Sequence, residues 1–310
     1  MRVVFFGSPK SALPSLKKII DAGHTIELII TQPDRPSGRG KSLSYSPVKQ
    51  QALEEDIPIY QPMRIRKDSV TVEKLREIKP ELNVVVAYGQ IIPGSIIYLP
   101  QYNSINLHFS LLPKFRGASP VQWAILKGEK TTGVTVFELN EKMDEGNILT
   151  QKKIEILPDE TAFELESRLA IMGADLLVNT ISQIKDIESQ EQDHTRASFA
   201  PLIKKTDGQI DWTKEALFIE RQIRAFTPWP STFTFLKGRR IKVIKGKSEP
   251  FKFSAPEPGE IVNVEKRGIG VKCGDGTIFL IERLQPENKK EMNAYEFSLG
   301  GNIRSGDVFS

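Results

Sequence analysis

The stretch VVFFGSPKSALPSLKKIIDAGHTIELII (residues 3–30) decides the fold class. Its two ends, VVFF (3–6) and IELII (26–30), are short and apolar, as buried strands are. Between them, residues 11–21 place Leu13, Leu16, Ile19 and Ile20 at helical spacing. A strand, a helix and a second strand in that order predict a parallel pair, because parallel strands need a long crossover. The pattern continues with LNVVVA (82–87) and SINLH (104–108) as further buried strands. Residues 47–55 read as a helix opened by Ser46-Pro47, an N-cap followed by a proline in the first turn. The expectation is an α/β domain with a Rossmann-like, mostly parallel sheet covered on both faces.

Farther along, TGVTVFEL (132–139) and KKIEI (152–156) read as strands, and Thr161-Ala-Phe-Glu164 is a capping box. Leu165, Leu169, Met172, Leu176, Leu177 and Ile184 follow as the core stripe of a long helix. From 188 to 209 the composition turns polar, which predicts an interdomain linker with His194 solvated inside it. Beyond it come IDW, a short helix at 214–226, and strand-like runs joined by Lys237-Gly238. Breaks at Arg267-Gly268 and Gly274-Asp275-Gly276 continue the closely spaced pattern of a small antiparallel, OB-like β-barrel. The expected organisation is a first domain over 1–188, a linker over 189–208 and the barrel domain over 209–310.

A chain of 310 residues with 39% hydrophobic and 26% charged side chains fits a two-domain globular protein. Its single cysteine, Cys273, reads as a small strand residue; it allows no internal disulfide and favours a reducing compartment. The opening MRVVFFGSPK enters a strand at once, without the pattern of a signal peptide, and no apolar run is long enough to span a membrane. A cytoplasmic protein is expected. Residues 1–200 hold 24 basic and 25 acidic side chains, and residues 201–310 hold 19 and 14. The C-terminal third is therefore the basic part, which permits contact with a polyanion.

Gly7-Ser8-Pro9 follows the first strand but lacks the other glycines of a dinucleotide fingerprint, and no phosphate-binding Gly-Lys-Ser/Thr loop is present. Ligands of open α/β sheets bind beyond the carboxyl ends of strands. Asn106 and His108 stand at such an end, two apart and so on one face. From the residues alone, His108 reads equally as a core ring or as an acid/base group. Asp144, in EKMDEGNIL, reads by itself as a solvated turn residue.

Together, the segment NLHFSLLPKFRGASPVQWAILKGEKTTGVTVFELNEKMDEGNIL (106–149) resembles the folate-dependent formyltransferase family. The resemblance rests on Asn-x-His, then Ser-Leu-Leu-Pro, then an aspartate in an Asp-x-Gly turn. It implies that Asn106, His108 and Asp144 are catalytic, and that Ser110, Leu111, Leu112 and Pro113 line the site of 10-formyltetrahydrofolate. It also implies that AYGQIIP, with Ala87, Tyr88, Gly89 and Gln90, forms the other wall, where backbone groups meet the pterin ring. No metal is implied. Phe109 departs from the small residue usual after the histidine.

TQPDRPSGRGKSLSYSPVK (31–49) resembles the basic loop of those members whose acceptor is initiator methionyl-tRNA. Arg35, Arg39 and Lys41 would approach the tRNA there, although a loop of this composition is also simply a surface loop. IDW, IRAFTPWPSTFT, LQPENKKEMNA and SGDVF extend that resemblance across the chain. A glycinamide ribonucleotide transformylase is expected to stop near residue 200. A sugar nucleotide formyltransferase is the closer rival, since it also carries a C-terminal domain. A monomer without membrane attachment is expected.

Overall fold

The computed structural model describes residues 1–37, 42–252, 257–301 and 303–310. Its contacts divide the chain into two units. Unit 1 comprises residues 1–120, 131–155 and 166–201; unit 2 comprises 121–130, 156–165 and 202–310.

The elements up to residue 182 run as follows. The strands are β1 (Arg2–Gly7), β2 (Thr25–Ile30), β3 (Arg35–Ser37), β4 (Ser42–Ser44), β5 (Ile59–Tyr60), β6 (Leu82–Val86), β7 (Ser104–His108), β8 (Thr131–Glu138) and β9 (Ile148–Glu155). The helices are α1 (Leu13–Asp21), α2 (Pro47–Glu54), α3 (Ser69–Ile78), α4 (Gly94–Ile97), α5 (Pro120–Leu126) and α6 (Ala162–Ser182). Seven strands form the sheet of unit 1 in the order β5-β2-β1-β6-β7-β8-β9. The first five are mutually parallel, and β8 and β9 add an antiparallel edge. The chain starts at β1, runs out to β5, then returns to the other side of β1 with β6. A crevice is expected at such a reversal, beyond the strand ends.

Local chemistry explains these elements. Ser46 Oγ accepts from the Lys49 N–H and caps α2, as the Ser-Pro pair predicts. Asp68 caps α3 in the same way, from Thr71 N–H. The Thr161/Glu164 box forms, with each side chain bonded to the other's backbone N–H. Central strands β1 and β6 are buried along almost their whole length, which is why they read as continuous apolar runs.

One sequence expectation fails here. Residues 190–200, assigned to a linker, are packed within unit 1. Gln190 bridges to Ile148, Phe199 to Arg116, and Gln192 is only 3% exposed. Most of its side chains are exposed, but the buried Gln192 is fully hydrogen-bonded and the backbone is fastened to unit 1.

Unit 2 is built on α7 (Ala216–Phe226), β10 (Thr232–Leu236), β11 (Arg239–Lys252), β12 (Ile261–Glu265), β13 (Gly268–Lys272), β14 (Thr277–Pro286), β15 (Met292–Asn293) and α8 (Ala294–Gly301). The antiparallel strands run β10-β11-β14-β13-β12, with β15 beside β14. Lys237 and Gly238 both have positive φ, the two-residue turn that a β10–β11 hairpin needs. Residues 307–310 join the two ends of this sheet. Phe235 exchanges backbone hydrogen bonds with Ser310, Ile261 N–H donates to Asp307, and Phe309 N–H donates to Gly259. The barrel is thereby closed. Its core gathers Trp212, Ile219, Ile241, Val271, Phe279 and Phe309. Cys273 is fully buried there, and burial pushes its thiol up to about 12, so the structural reading holds.

Candidate active site

Asn106 and His108 occupy the end of β7, with the pleat placing both side chains on one face. Leu107 points the other way, against Gly173 of α6, where an added Cβ would stand 2.9 Å from the leucine. Helix α6 thus backs the strand while the opposite face is left for Asn106 and His108. His108 is 7% exposed and lies edge-on to Phe137, with ring centroids 6.5 Å apart.

Backbone geometry fixes the imidazole. Its Nε2 stands 2.9 Å from the carbonyl oxygen of Phe115, and only an N–H can donate to a carbonyl. The proton therefore belongs on Nε2. Nδ1 is left facing Asp144, whose Oδ2 lies 3.8 Å away. That same oxygen accepts from Gly117 N–H at 2.7 Å. Asp144 adopts φ 54°, a left-handed conformation that aspartate tolerates better than most residues. The three residues that were separate in the sequence are thus two partners on one strand and a carboxylate brought to the ring. Among the described residues, no hydrogen bond engages the Asn106 side chain, which is half-buried.

The Ser110–Pro113 segment is held from below. Thr135 Oγ1 donates to the Ser110 carbonyl and accepts from Leu112 N–H, while Gln151 Nε2 donates to the Leu112 carbonyl and to Thr135 Oγ1. Ser110 Oγ donates to the Lys114 carbonyl and is fully buried, so it shapes the turn from inside. Leu112 is buried too; Leu111 and Pro113 keep accessible surface. Leu111 lies over Gly133, where a Cβ would come within 2.5 Å of its methyl group. Phe109 is buried at 8% exposure, which places the bulky residue within the protein.

On the other side, β6 ends in the turn Ala87–Gln90. Ala87 (φ 49°) and Gly89 (φ 82°) are both left-handed and exposed. Tyr88 between them turns its ring inward, 2% exposed and edge-on to Phe6. Burial, with a smaller effect of Asp68, raises its phenol above the usual tyrosine range. Only backbone of this turn faces outward, and Gln32 Nε2 braces it by donating to the Tyr88 carbonyl. Gln90 Oε1 accepts from Ile65 N–H. Among the described residues, no group of three His, Cys, Asp or Glu side chains is placed to hold a metal ion.

The sequence reading missed Arg116 and Gln192. Arg116 is 2% exposed, and its Nε and Nη2 both donate to Gln192 Oε1, at 3.2 and 2.8 Å. Nη2 also lies 3.0 Å from His194 Nδ1, and Nη1 lies 3.3 Å from Glu145. His194 is exposed as expected, yet engaged by this arginine. The only signal in the sequence is an arginine between Phe115 and Gly117, directly after the site, and its partner lies 76 residues away.

Gly146 is the tightest point of the Asp144 loop. A Cβ there would stand 1.7 Å from the Glu138 carbonyl oxygen, so the loop must shift to admit one. Gly146→Ala is expected to lower turnover about 100-fold, the effect of roughly 1 Å of misplacement. Steady-state kinetics checks this; turnover within threefold of the parent would show that the loop position is not critical.

A conserved-domain description, Formyl transferase, matches residues 1–181, and Formyl transferase, C-terminal domain, matches residues 202–302. The chain belongs to the formyl transferase family. Among its relatives, the methionyl-tRNA formyltransferase of Geobacter sulfurreducens is 40% identical over 308 residues, covering 99% of this chain and 96% of that protein. That of Alkaliphilus metalliredigens is 42% identical over 308 residues, covering 99% and 97%. Similar solved structures include a sugar 3N-formyl transferase crystallised with dTDP and 5-N-formyl-THF (22% identity, TM-score 0.66, 94% of this chain and 99% of that one). Another is the N-formyltransferase of Helicobacter canadensis with folinic acid and dTDP-3-aminofucose (20%, 0.67, 92% and 98%). At such identity these two share the fold and do not identify the acceptor.

Proposed function

We propose that the chain transfers the formyl group of 10-formyltetrahydrofolate to the α-amine of methionyl-initiator tRNA, giving N-formylmethionyl-tRNA. The observation that carries the chemistry is the unpartnered Asn106 amide on one face with a His108 ring whose Nδ1 is turned to Asp144. The acceptor rests on full-length relatives of that activity at 40% identity and above. The sugar nucleotide reading has beside it solved structures at 20–22% identity, which share the fold.

The accessible residues fit a folate. Leu111 and Pro113 offer apolar surface, and the Ala87–Gln90 turn offers backbone groups for a heterocycle. Bound there, the folate supplies a formyl carbon that an amine can attack. Asn106 donates an amide N–H toward the negative charge that develops on the formyl oxygen. In its protonated form His108 supplies a second donor. Asp144 orients the ring, and with His108 it carries the proton lost by the amine toward the folate nitrogen. Because Nε2 is committed to Phe115, Nδ1 is the ring nitrogen that takes part.

On the acceptor side, Arg35 is exposed in β3; Arg39 and Lys41 lie outside the described residues. Arg35→Ala is expected to raise KM for tRNA several-fold while leaving KM for the folate unchanged, since a phosphate contact positions without reacting. Equal kinetics toward tRNA would remove Arg35 from the interface. The basic C-terminal third, including exposed Arg239 and Arg240, adds affinity that weakens with salt. The protein is read as a cytoplasmic monomer. Among the described residues, no helix is long and apolar enough to cross a membrane.

Incubation with 10-formyltetrahydrofolate and either charged initiator tRNA or an amino-sugar nucleotide decides the acceptor. Formylmethionyl-tRNA is expected; turnover of the sugar alone would overturn the proposal.

A further inference from the structure

We infer that Gln192, linked to Arg116, is a positioning residue that sets the distance between His108 and Asp144. The inference rests on the formyl-transfer reading of that pair and extends it to residues that touch neither substrate.

The contacts form a closed circuit of hydrogen bonds, completed by the 3.8 Å approach of Asp144 to His108. It begins at His108 Nε2, which donates to the Phe115 carbonyl. The next residue, Arg116, directs its buried guanidinium onto Gln192 Oε1 through both Nε and Nη2. The opposite end of the same amide, Nε2, donates to the carbonyls of Asp144 at 2.9 Å and Gly146 at 2.7 Å. Asp144 Oδ2 then returns to His108 Nδ1 at 3.8 Å. A shorter rung crosses this circuit, from Gly117 N–H to Asp144 Oδ2. Every contact lies within unit 1.

Physical chemistry gives each member a reason. A guanidinium 2% exposed must be paired and hydrogen-bonded, and here it receives an amide oxygen, Glu145 and His194 Nδ1. Gln192 faces donors on one side and two carbonyls on the other, so its amide has one satisfying orientation. A carboxamide is the side chain that accepts from an arginine at one end and donates to two carbonyls at the other. The circuit also explains why a polar segment far along the chain returns to the site. Backbone bonds from Arg116 N–H to Ser198 and from Ala200 N–H to Arg116 fasten that segment to the strand-end loop. Asp144 sits in a loop between two antiparallel strands, in a left-handed conformation, and Gln192 holds the carbonyls on both sides of Glu145.

The test is Gln192→Glu. It keeps size and the acceptor for Arg116, but places a carboxylate oxygen where the two carbonyls need N–H donors. The expected result is a fall in kcat of about 100-fold, the scale of a 1 Å misplacement. KM for 10-formyltetrahydrofolate and for methionyl-tRNA should stay within about twofold, and the same substitution in an Asp144→Ala background should cause no further loss. Gln192→Met, which retains volume without polar groups, provides the same comparison should the Glu variant not fold. Parent-like kcat in the folded variant, or losses that multiply with those of Asp144→Ala, would overturn the inference. Failure of the underlying reading is separate, because the parent protein itself would then not formylate methionyl-tRNA.

Discussion

His108→Ala lowers kcat for formyl transfer by about 10²–10³, the usual effect of removing one preplaced donor from a site where charge develops. Binding of the formylfolate is expected to remain near that of the parent. The two effects separate because different bonds serve them. Leu111 and Pro113 are supported by Thr135 and Gln151, and the Ala87–Gln90 turn by Gln32; none of these bonds passes through His108. The imidazole is positioned independently, by the Phe115 carbonyl at 2.9 Å and by the edge of Phe137. An alanine there removes the donor while the walls persist. Equilibrium titration with a folate and steady-state kinetics on the same preparation check both halves. Turnover close to the parent's would end the assignment of His108.

The second large effect concerns stability. Phe309→Ala should destabilise the chain by about 3–5 kcal/mol, the range for truncating a buried aromatic. Phe309 is 1% exposed and stacks on Trp212, with centroids 5.8 Å apart. Trp212 in turn donates through Nε1 to Thr234, whose hydroxyl donates to the Ser310 carbonyl. The ring therefore anchors the segment that joins β10 to β12, and its loss leaves both a cavity and a weakened closure. Denaturant unfolding followed by tryptophan fluorescence reads this through Trp212. A loss below about 1 kcal/mol would mean that the barrel holds without this anchor.

Much of the architecture was legible because burial leaves periodic traces. VVFF and IELII flank a helix with apolar residues at helical spacing, and the parallel β1–β2 pair follows. The Lys237-Gly238 turn was equally readable, since two left-handed residues are needed where two strands meet in so short a loop. Helix α3 was missed although Asp68 caps it and Val72, Leu75 and Ile78 pack toward the core at helical spacing, because that apolar face is short and set among charged residues. The deeper error concerns residues 189–201, the first part of the segment 189–208 read as linker, which belong to unit 1. Composition registers polarity but not partners: Gln192 looks solvated in a sequence and is buried in the fold because Arg116 and two carbonyls satisfy it. The catalytic candidates were readable through the motif they form together. The hydrogen bonds that position them join residues 27, 48 and 76 apart, and no local pattern encodes such pairs.

The central claim is that His108 and Asp144 act as one unit in formyl transfer. The most direct measurement is kcat for methionyl-tRNA formylation by His108→Ala, Asp144→Ala and the double variant. A single unit predicts that the double variant is no slower than the slower single one, as for other groups that work together. Losses that multiply, or a single variant with parent-like turnover, would contradict it.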